Sequence, residues 1–198
     1  MYNIMMDRII AECRDYSEKL FESVDKAHDF LHTLRVFENA KKIIKHVECD
    51  NDIVLIATLL HDADEKKIFS TENNENARVF LDKHFQNDIV ERIVQIINEV
   101  SFSNKLSPTT IESAVVQDSD RLDAIGAIGI ARTFTYGGAI SRAICGDKND
   151  NDTVSHFCDK LFRLEGLMTT EPAKQIAKSR TRYMRAFIKR LKGEIHGE

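Results

Sequence analysis

The alternation of apolar and polar positions is helical in period along almost the whole chain. Residues 5–21 place Ile9, Ile10, Cys13, Tyr16 and Leu20 at spacings of three and four, which collects them on one side of an α-helix. Asp25 stands before a second such stretch as its N-cap. There Leu31, Leu34, Phe37, Ala40 or Lys41, Ile44 and Val47 form an apolar stripe, and His28, His32, Arg35 and Asn39 form a polar line beside it. The third stretch differs in kind. Asp50 or Asn51 caps a run from Ile53 to Leu60 that is almost unbroken in apolar residues and passes straight into His61-Asp62-Ala63-Asp64-Glu65-Lys66-Lys67. A helix that is apolar all round is a buried helix. A carboxylate at its end is costly unless it is paired or reaches water.

Ser70 or Thr71 is expected to cap a fourth helix carrying Ala77, Phe80 and Leu81. A fifth spans about Asp88 to Val100, with Ile89, Ile93, Ile96 and Ile97 inward. Residues 101–105 read as a loop. Ser107-Pro108 supplies an N-cap and a first-turn proline for a helix with Ile111, Ala114, Val115 and Val116, followed by Asp118-Ser119-Asp120-Arg121-Leu122-Asp123-Ala124. Gly126 and Gly129 lie in a small-residue apolar run with no strand before it, so they predict close helix packing and not a phosphate-binding loop. Gly137-Gly138 ends that helix, and residues 139–153 are polar and irregular, either a lid or a surface loop. Two helices close the chain. One runs from about Val154 to Met168 with His156 and Lys160. The other begins after Thr170-Glu171-Pro172, with a stripe of Ile176, Tyr183 or Met184, Phe187 and Leu191. Its opposite face holds Lys174, Lys178, Arg182, Arg185, Lys189 and Lys192, a pattern expected of a solvated face. With two prolines, eight glycines and no sustained period-two alternation, the expected fold class is all-α.

Composition narrows the function classes. A chain of 198 residues, 42% hydrophobic and 30% charged, suits one domain with a core and a soluble surface. A formal net charge of −4 gives no bulk attraction to nucleic acid or an anionic membrane, so any phosphate site must be local. No apolar run approaches the ~20 residues that span a bilayer, and the first residues carry no secretion signal. Cys13, Cys49, Cys145 and Cys158 are scattered and read as reduced thiols of a cytoplasmic protein.

The residues able to hold a divalent metal inside such a helical core are few. His32 lies on the polar line, His61 and Asp62 end the buried helix, and Asp118 or Asp120 sits in a helix dense in apolar residues. A His-Asp dipeptide alone is weak evidence, since His28-Asp29 is a second one and capping a helix end is the bland alternative. Taken together, mixed nitrogen and oxygen ligands from three helices suit a six-coordinate site with open positions. Mn, Fe, Ni, Co or Mg fits better there than structural zinc. An open position lets the metal activate water near neutral pH.

The order His…His-Asp…Asp resembles the signature of the HD superfamily of metal-dependent phosphohydrolases. His28-Asp29-Phe30-Leu31-His32-Thr33-Leu34-Arg35-Val36 is similar to the H-D-x-x-H-x-x-R-V segment of the small bacterial stand-alone HD hydrolases of the YpgQ/YedJ type. Leu59-Leu60-His61-Asp62, with Glu65 and Lys67 after it, resembles their L-L-H-D segment. Ile96 to Ser103 resembles a segment ending in S-F-S. Residues 117–132 match Q-D-A-D-R-L-D-A-I-G-A-I-G-I-A-R at all but one position. His156-Phe157, Lys160-Leu161 and Leu167-Met168 also fit. One departure is Lys66, where relatives often carry a His.

The resemblance implies an HD-domain helical bundle over residues 1–198, with a core of about 23–135 and C-terminal helices of about 154–193 packed on it. It implies His32, His61, Asp62 and Asp120 as ligands of one divalent metal, Mn being favoured and Ni, Fe, Co or Mg acceptable. It further implies hydrolysis of a small phosphorylated substrate, a nucleoside or deoxynucleoside triphosphate in a pyrophosphohydrolase reaction; the charge balance, for its part, predicts no membrane partner and disfavours nucleic acid. Oligomeric state stays open, a homodimer included. Roles follow from charge. Asp62 holds the metal, and Glu65 or Asp64 orients or deprotonates the attacking water. Arg35, Lys66 and Lys67 are candidate phosphate contacts, with His28, His156 and Lys160 as further substrate-side candidates. The alternatives are a non-catalytic metal- or nucleotide-binding HD module and a phosphodiesterase acting on another phosphoester.

Overall fold

A computed structural model describes residues 2–22, 30–66, 68–100, 106–146 and 152–197. Among these the only regular elements are helices, so the chain is all-α. Cα packing divides it into two compact units, Met1–Asp120 and Arg121–Glu198.

The first unit contains α1 (Tyr2–Phe21), α2 (Phe30–Ile43), α3 (Asn51–Leu60), α4 (Glu75–His84), α5 (Asn87–Val100) and most of α6 (Ile111–Asp123). Helix α3 is its centre and packs against α1, α2 and α5. Asp50 caps it by accepting from the Ile53 backbone N–H at 3.3 Å. Ile53, Val54, Ile56, Ala57, Thr58, Leu59 and Leu60 are all buried, as an apolar run requires. Helix α6 is buried on every side from Glu112 to Ser119, so its polar residues need partners inside. The Gln117 amide donates to the carbonyls of Glu99 and Leu106, and the Ser119 hydroxyl donates to Val115.

Several local expectations need correction. On α1 the buried line is Met6, Ile9, Cys13, Ser17 and Phe21. Ser17 is admitted because its hydroxyl donates to the Leu59 carbonyl at 2.8 Å. On α2 the buried residues are Thr33, Val36, Asn39, Ala40 and Ile43, while Leu31 is 57% exposed. The stripe is rotated toward the polar line because Asn39 is bonded inside, donating to the Ser119 carbonyl at 3.1 Å. Neither Ser70 nor Thr71 caps α4. That helix starts after Asn74, and the carboxylate of Asp64 accepts from the N–H groups of Asn76 and Ala77 at 2.9 and 3.0 Å. On α5 Val90 and Val94 are buried with Ile93, Ile96 and Ile97, and Ile89 is only half-buried. Thr110, not Ser107, caps α6, its hydroxyl accepting from Ser113 N–H at 3.1 Å. The expected Asp25 cap and the 101–105 loop lie outside the described residues.

The second unit contains α7 (Gly126–Ala139), α8 (Thr153–Asp159), a 3-10 turn (Leu161–Leu167) and α9 (Glu171–His196). The helix expected from about Val154 to Met168 is broken at Lys160. Leu161 and Leu164, three apart, are both buried, and a 3-10 helix stacks such residues on one side. Gly126 has φ +84°, and its missing Cβ would meet the Arg180 side chain at 3.0 Å. The expectation of close packing therefore holds there. The buried stripe of α9 is Ala173, Ala177, Thr181, Met184 and Ile188, with Tyr183 exposed. Lys174, Lys178, Arg182, Arg185, Lys189 and Lys192 are exposed, as a solvated face should be.

Candidate metal centre

The centre is built where the buried helix α3 stops. The Thr58 hydroxyl donates back to Val54, leaving the Thr58 carbonyl to accept from Nδ1 of His61 at 2.8 Å. A carbonyl can only accept, so Nδ1 carries the proton and Nε2 presents its lone pair. That Nε2 lies 3.4 Å from Nε2 of His32 on α2 and 3.5 Å from Oδ2 of Asp62. His32 Nε2 is in turn 3.5 Å from Asp62 Oδ2 and 3.3 Å from Oδ1 of Asp120 on α6. One side-chain atom each of His32, His61 and Asp120 lies within 4.8 Å of the other two, and Asp62 completes a group of four. All four residues belong to the first unit.

The donor set fits a metal ion. Two imidazole nitrogens and two carboxylates converge, and at least one nitrogen presents a lone pair. Metal–ligand bonds of about 2.1 Å give ligand–ligand edges of about 3.0–3.4 Å, close to the separations found. The ring nitrogens sit inside and the carboxylates outward. The His61 side chain is 2% exposed, against 27% for Asp62 and 31% for Asp120. Access is therefore from the carboxylate side. The C-terminal end of α3 adds partial negative charge, which also favours a cation.

A polar cavity of about 360 Å³ opens beside His61, with Asp64, Glu65 and Lys66 on its wall. Backbone bonds fix them: Glu65 N–H donates to the Asp62 carbonyl at 3.1 Å, and Ile68 and Phe69 N–H donate to the Glu65 carbonyl at 2.8 and 2.9 Å. The two adjacent acids differ sharply. Both oxygens of Asp64 are taken by the start of α4. The carboxylate of Glu65 has no hydrogen bond or ion pair among the described residues. Arg35 is half-buried, one turn along α2 from His32. His28 and Lys67 lie outside the described residues. His156 and Lys160 belong to the second unit. There burial, with Lys160 and Arg142 nearby, holds His156 below its ordinary value, and Asp159 only partly opposes this.

Of the aspartates left open in α6, Asp118 is fully buried and Asp120 faces His32. Sequence reasoning missed the N-capping use of Asp64. It also missed a second stretch of the cavity wall, formed by Thr71, Glu72, Asn73, Asn74, Ile97 and Asn98. The one signal for that wall was the polar run Thr71-Glu72-Asn73-Asn74, which lies where a helix cap was expected.

Comparison with known proteins gives a consistent picture. The HD domain family model matches residues 29–125. The chain is 33% identical to the uncharacterized protein YpgQ of Bacillus subtilis over 193 residues, covering 94% of this chain and 93% of YpgQ. Among solved structures, the Lin1889 protein of Listeria innocua is 35% identical with a TM-score of 0.81, covering 96% and 97% of the two chains. An HD-superfamily hydrolase of Bacillus thuringiensis is 31% identical with a TM-score of 0.84, covering 98% and 100%. YpgQ crystallised in complex with ADP is 32% identical with a TM-score of 0.83, covering 96% of each chain.

Proposed function

We propose, from the premise that this chain belongs to the HD family of metal-dependent phosphohydrolases, that it hydrolyses a phosphoanhydride bond of a nucleoside triphosphate. The observation that carries the reading is the convergence of His32, His61, Asp62 and Asp120 beside a polar cavity that His61 lines. The nucleotide is supported by the complex of the similar YpgQ with ADP.

His32, His61, Asp62 and Asp120 would hold one divalent metal, Mn being the first candidate. Such an ion supplies Lewis acidity toward a phosphoryl oxygen and lowers the pKa of water. The remaining steps belong to the chain. The Thr58 carbonyl keeps His61 in one tautomer, so the ligand nitrogen needs no proton rearrangement. Glu65, with no partner among the described residues, orients the attacking water and accepts its proton. Lys66, exposed at the same wall, binds a phosphate oxygen as a point charge, with Arg35, Lys67 and His28 as further candidates. Asp64 holds the first turn of α4 and leaves the proton transfer to Glu65. His156 and Lys160 take no part in this scheme.

The test is a panel of nucleoside and deoxynucleoside triphosphates incubated with the protein and Mn, Co, Ni, Fe or Mg in turn, with phosphate and pyrophosphate assayed separately. Metal-dependent release of either product is expected. A protein that binds about one metal per chain and hydrolyses none of the panel refutes the reading.

A further inference from the structure

The cavity lining comes in two stretches of different chemistry. His61, Asp64, Glu65 and Lys66 follow α3 and are all ionisable; Thr71, Asn73, Asn74, Asn98 and the aliphatic side chain of Ile97 are neutral, with Glu72 the one acid among them. A phosphate chain offers only acceptors, so it is matched by cations and N–H donors and leaves the oxygen of a carboxamide unused. A carboxamide instead presents a donor and an acceptor side by side. The edge of a nucleobase presents the same pattern, and Asn is a usual partner for it.

Three observations indicate that this wall is kept for a ligand. Asn73 and Asn74 have φ of 54° and 57°, a left-handed conformation that non-glycine residues adopt at a cost and that gathers at binding sites. Asn74 stands at the N-cap of α4, where an Asn side chain ordinarily accepts from the helix, yet it makes no such bond. Asp64 does that work, and Asn74 Nδ2 donates instead to Oδ1 of Asn98 at 3.0 Å. The two carboxamides are thus tied into a pair at the cavity wall. The Thr71 hydroxyl is buried at the same wall without a hydrogen-bond partner among the described residues.

The geometry points to a nucleoside-reading subsite formed by Asn73, Asn74 and Asn98, with Ile97 offering an apolar contact to the face of the base. This rests on the phosphohydrolase reading only in placing the phosphate chain at the His61–Lys66 stretch. The cavity, at about 360 Å³, falls in the range of roughly 300–1,000 Å³ usual for small-molecule sites.

The test is calorimetric binding of ADP, inorganic pyrophosphate and ribose 5-phosphate to the Mn-loaded protein, in wild type, Asn74→Gly and Asn98→Ala. Glycine suits position 74 because it adopts positive φ freely, so the variant loses the amide and keeps the turn; Asn73→Gly is the second such variant. Wild type is expected to prefer ADP over pyrophosphate by about 5- to 100-fold, the worth of one good amide pair on a base. Asn74→Gly should remove most of that preference and leave pyrophosphate binding unchanged. Equal affinity for ADP and pyrophosphate in wild type overturns the subsite. So does ribose 5-phosphate binding as tightly as ADP, or a loss in the variants that falls equally on all three ligands. Amide-dependent ADP binding by a protein that cleaves no triphosphate would remove the proposed reaction and leave the subsite standing. Triphosphate cleavage with no amide-dependent preference would do the reverse.

Discussion

Asp64 and Glu65 are adjacent acids on one cavity wall, and their substitution should produce opposite phenotypes. In Asp64→Asn the amide keeps one oxygen, which can still accept from Asn76, but it turns an NH2 group toward the Ala77 N–H now bonded at 3.0 Å. A side-chain N-cap contributes about 0.5–2 kcal/mol. The negative charge at a helix N-terminus contributes about 0.3–1 kcal/mol more. Losing one of two cap bonds and the charge should therefore cost about 1–2 kcal/mol. For a cooperative unit of this size that lowers Tm by roughly 3–8 °C. Catalysis should change only as far as the start of α4 and the Asn73–Asn74 turn loosen. Glu65→Gln should leave Tm unchanged, because its carboxylate bonds to no described residue. Turnover should fall by ~10²-fold or more if Glu65 accepts the proton. The assay is thermal melting beside kcat and metal content for both variants. Asp64→Asn with an unchanged Tm and a collapsed kcat would refute the division of labour and transfer the base to Asp64.

The other expectations are narrower. His61→Ala should lose most of the bound metal on dialysis against buffer, as read by elemental analysis; full occupancy would sink the ligand assignment. Asp120→Asn should weaken metal binding strongly, whereas Asp118→Asn, buried and off the cluster, should cost at most the ~10–100-fold of an indirect effect; the reverse order in a metal titration would show that the fourth ligand is misplaced. Glu99 is raised by burial, but bonds from Thr109, Ser113 and Gln95 outweigh this and hold it at about 2. Its folded value is depressed, so its stabilisation is complete above the unfolded value of about 4.3 and is lost as pH falls toward 2. That amounts to on the order of 3 kcal/mol. Urea unfolding between pH 5 and 2 should therefore depend on pH less steeply in Glu99→Gln than in wild type.

Some of this was legible in the sequence for simple reasons. The Ile53–Leu60 run has no polar side, so it had to be buried, and the polar residues at its end had to have partners. That fixed attention on His61 and Asp62. Asp118 and Asp120 were harder. Two residues apart, they point about 200° from one another on a helix, but both sides of α6 contain apolar residues. Periodicity could not say which side met His32. The same ambiguity rotated the stripe of α2. The line through Leu31 and Leu34 is the more apolar, yet Thr33 and Asn39 go inside, because a buried Asn that bonds the Ser119 carbonyl carries little desolvation penalty. Hydropathy counts such a residue as exposed. The break at Lys160 was invisible because Leu161 and Leu164, three apart, satisfy an α-helix and a 3-10 helix alike.

The centre also shows how packing can set chemistry. The last carbonyls of a helix have no partners within it, and α3 is too deeply buried for water to serve them. The His61 ring meets that need at Thr58, and in doing so turns Nε2 toward His32 with its lone pair free. The tautomer that a metal requires is thus imposed by the end of the core helix, with no dedicated carboxylate behind the imidazole. The turn that follows hands three acids to three tasks. Asp62 faces the two imidazoles, Asp64 reaches forward to α4, and Glu65 remains open at the cavity. Their identities are nearly interchangeable in charge, so composition cannot rank them. What separates them is the number of residues after a helix end whose position the core has already fixed.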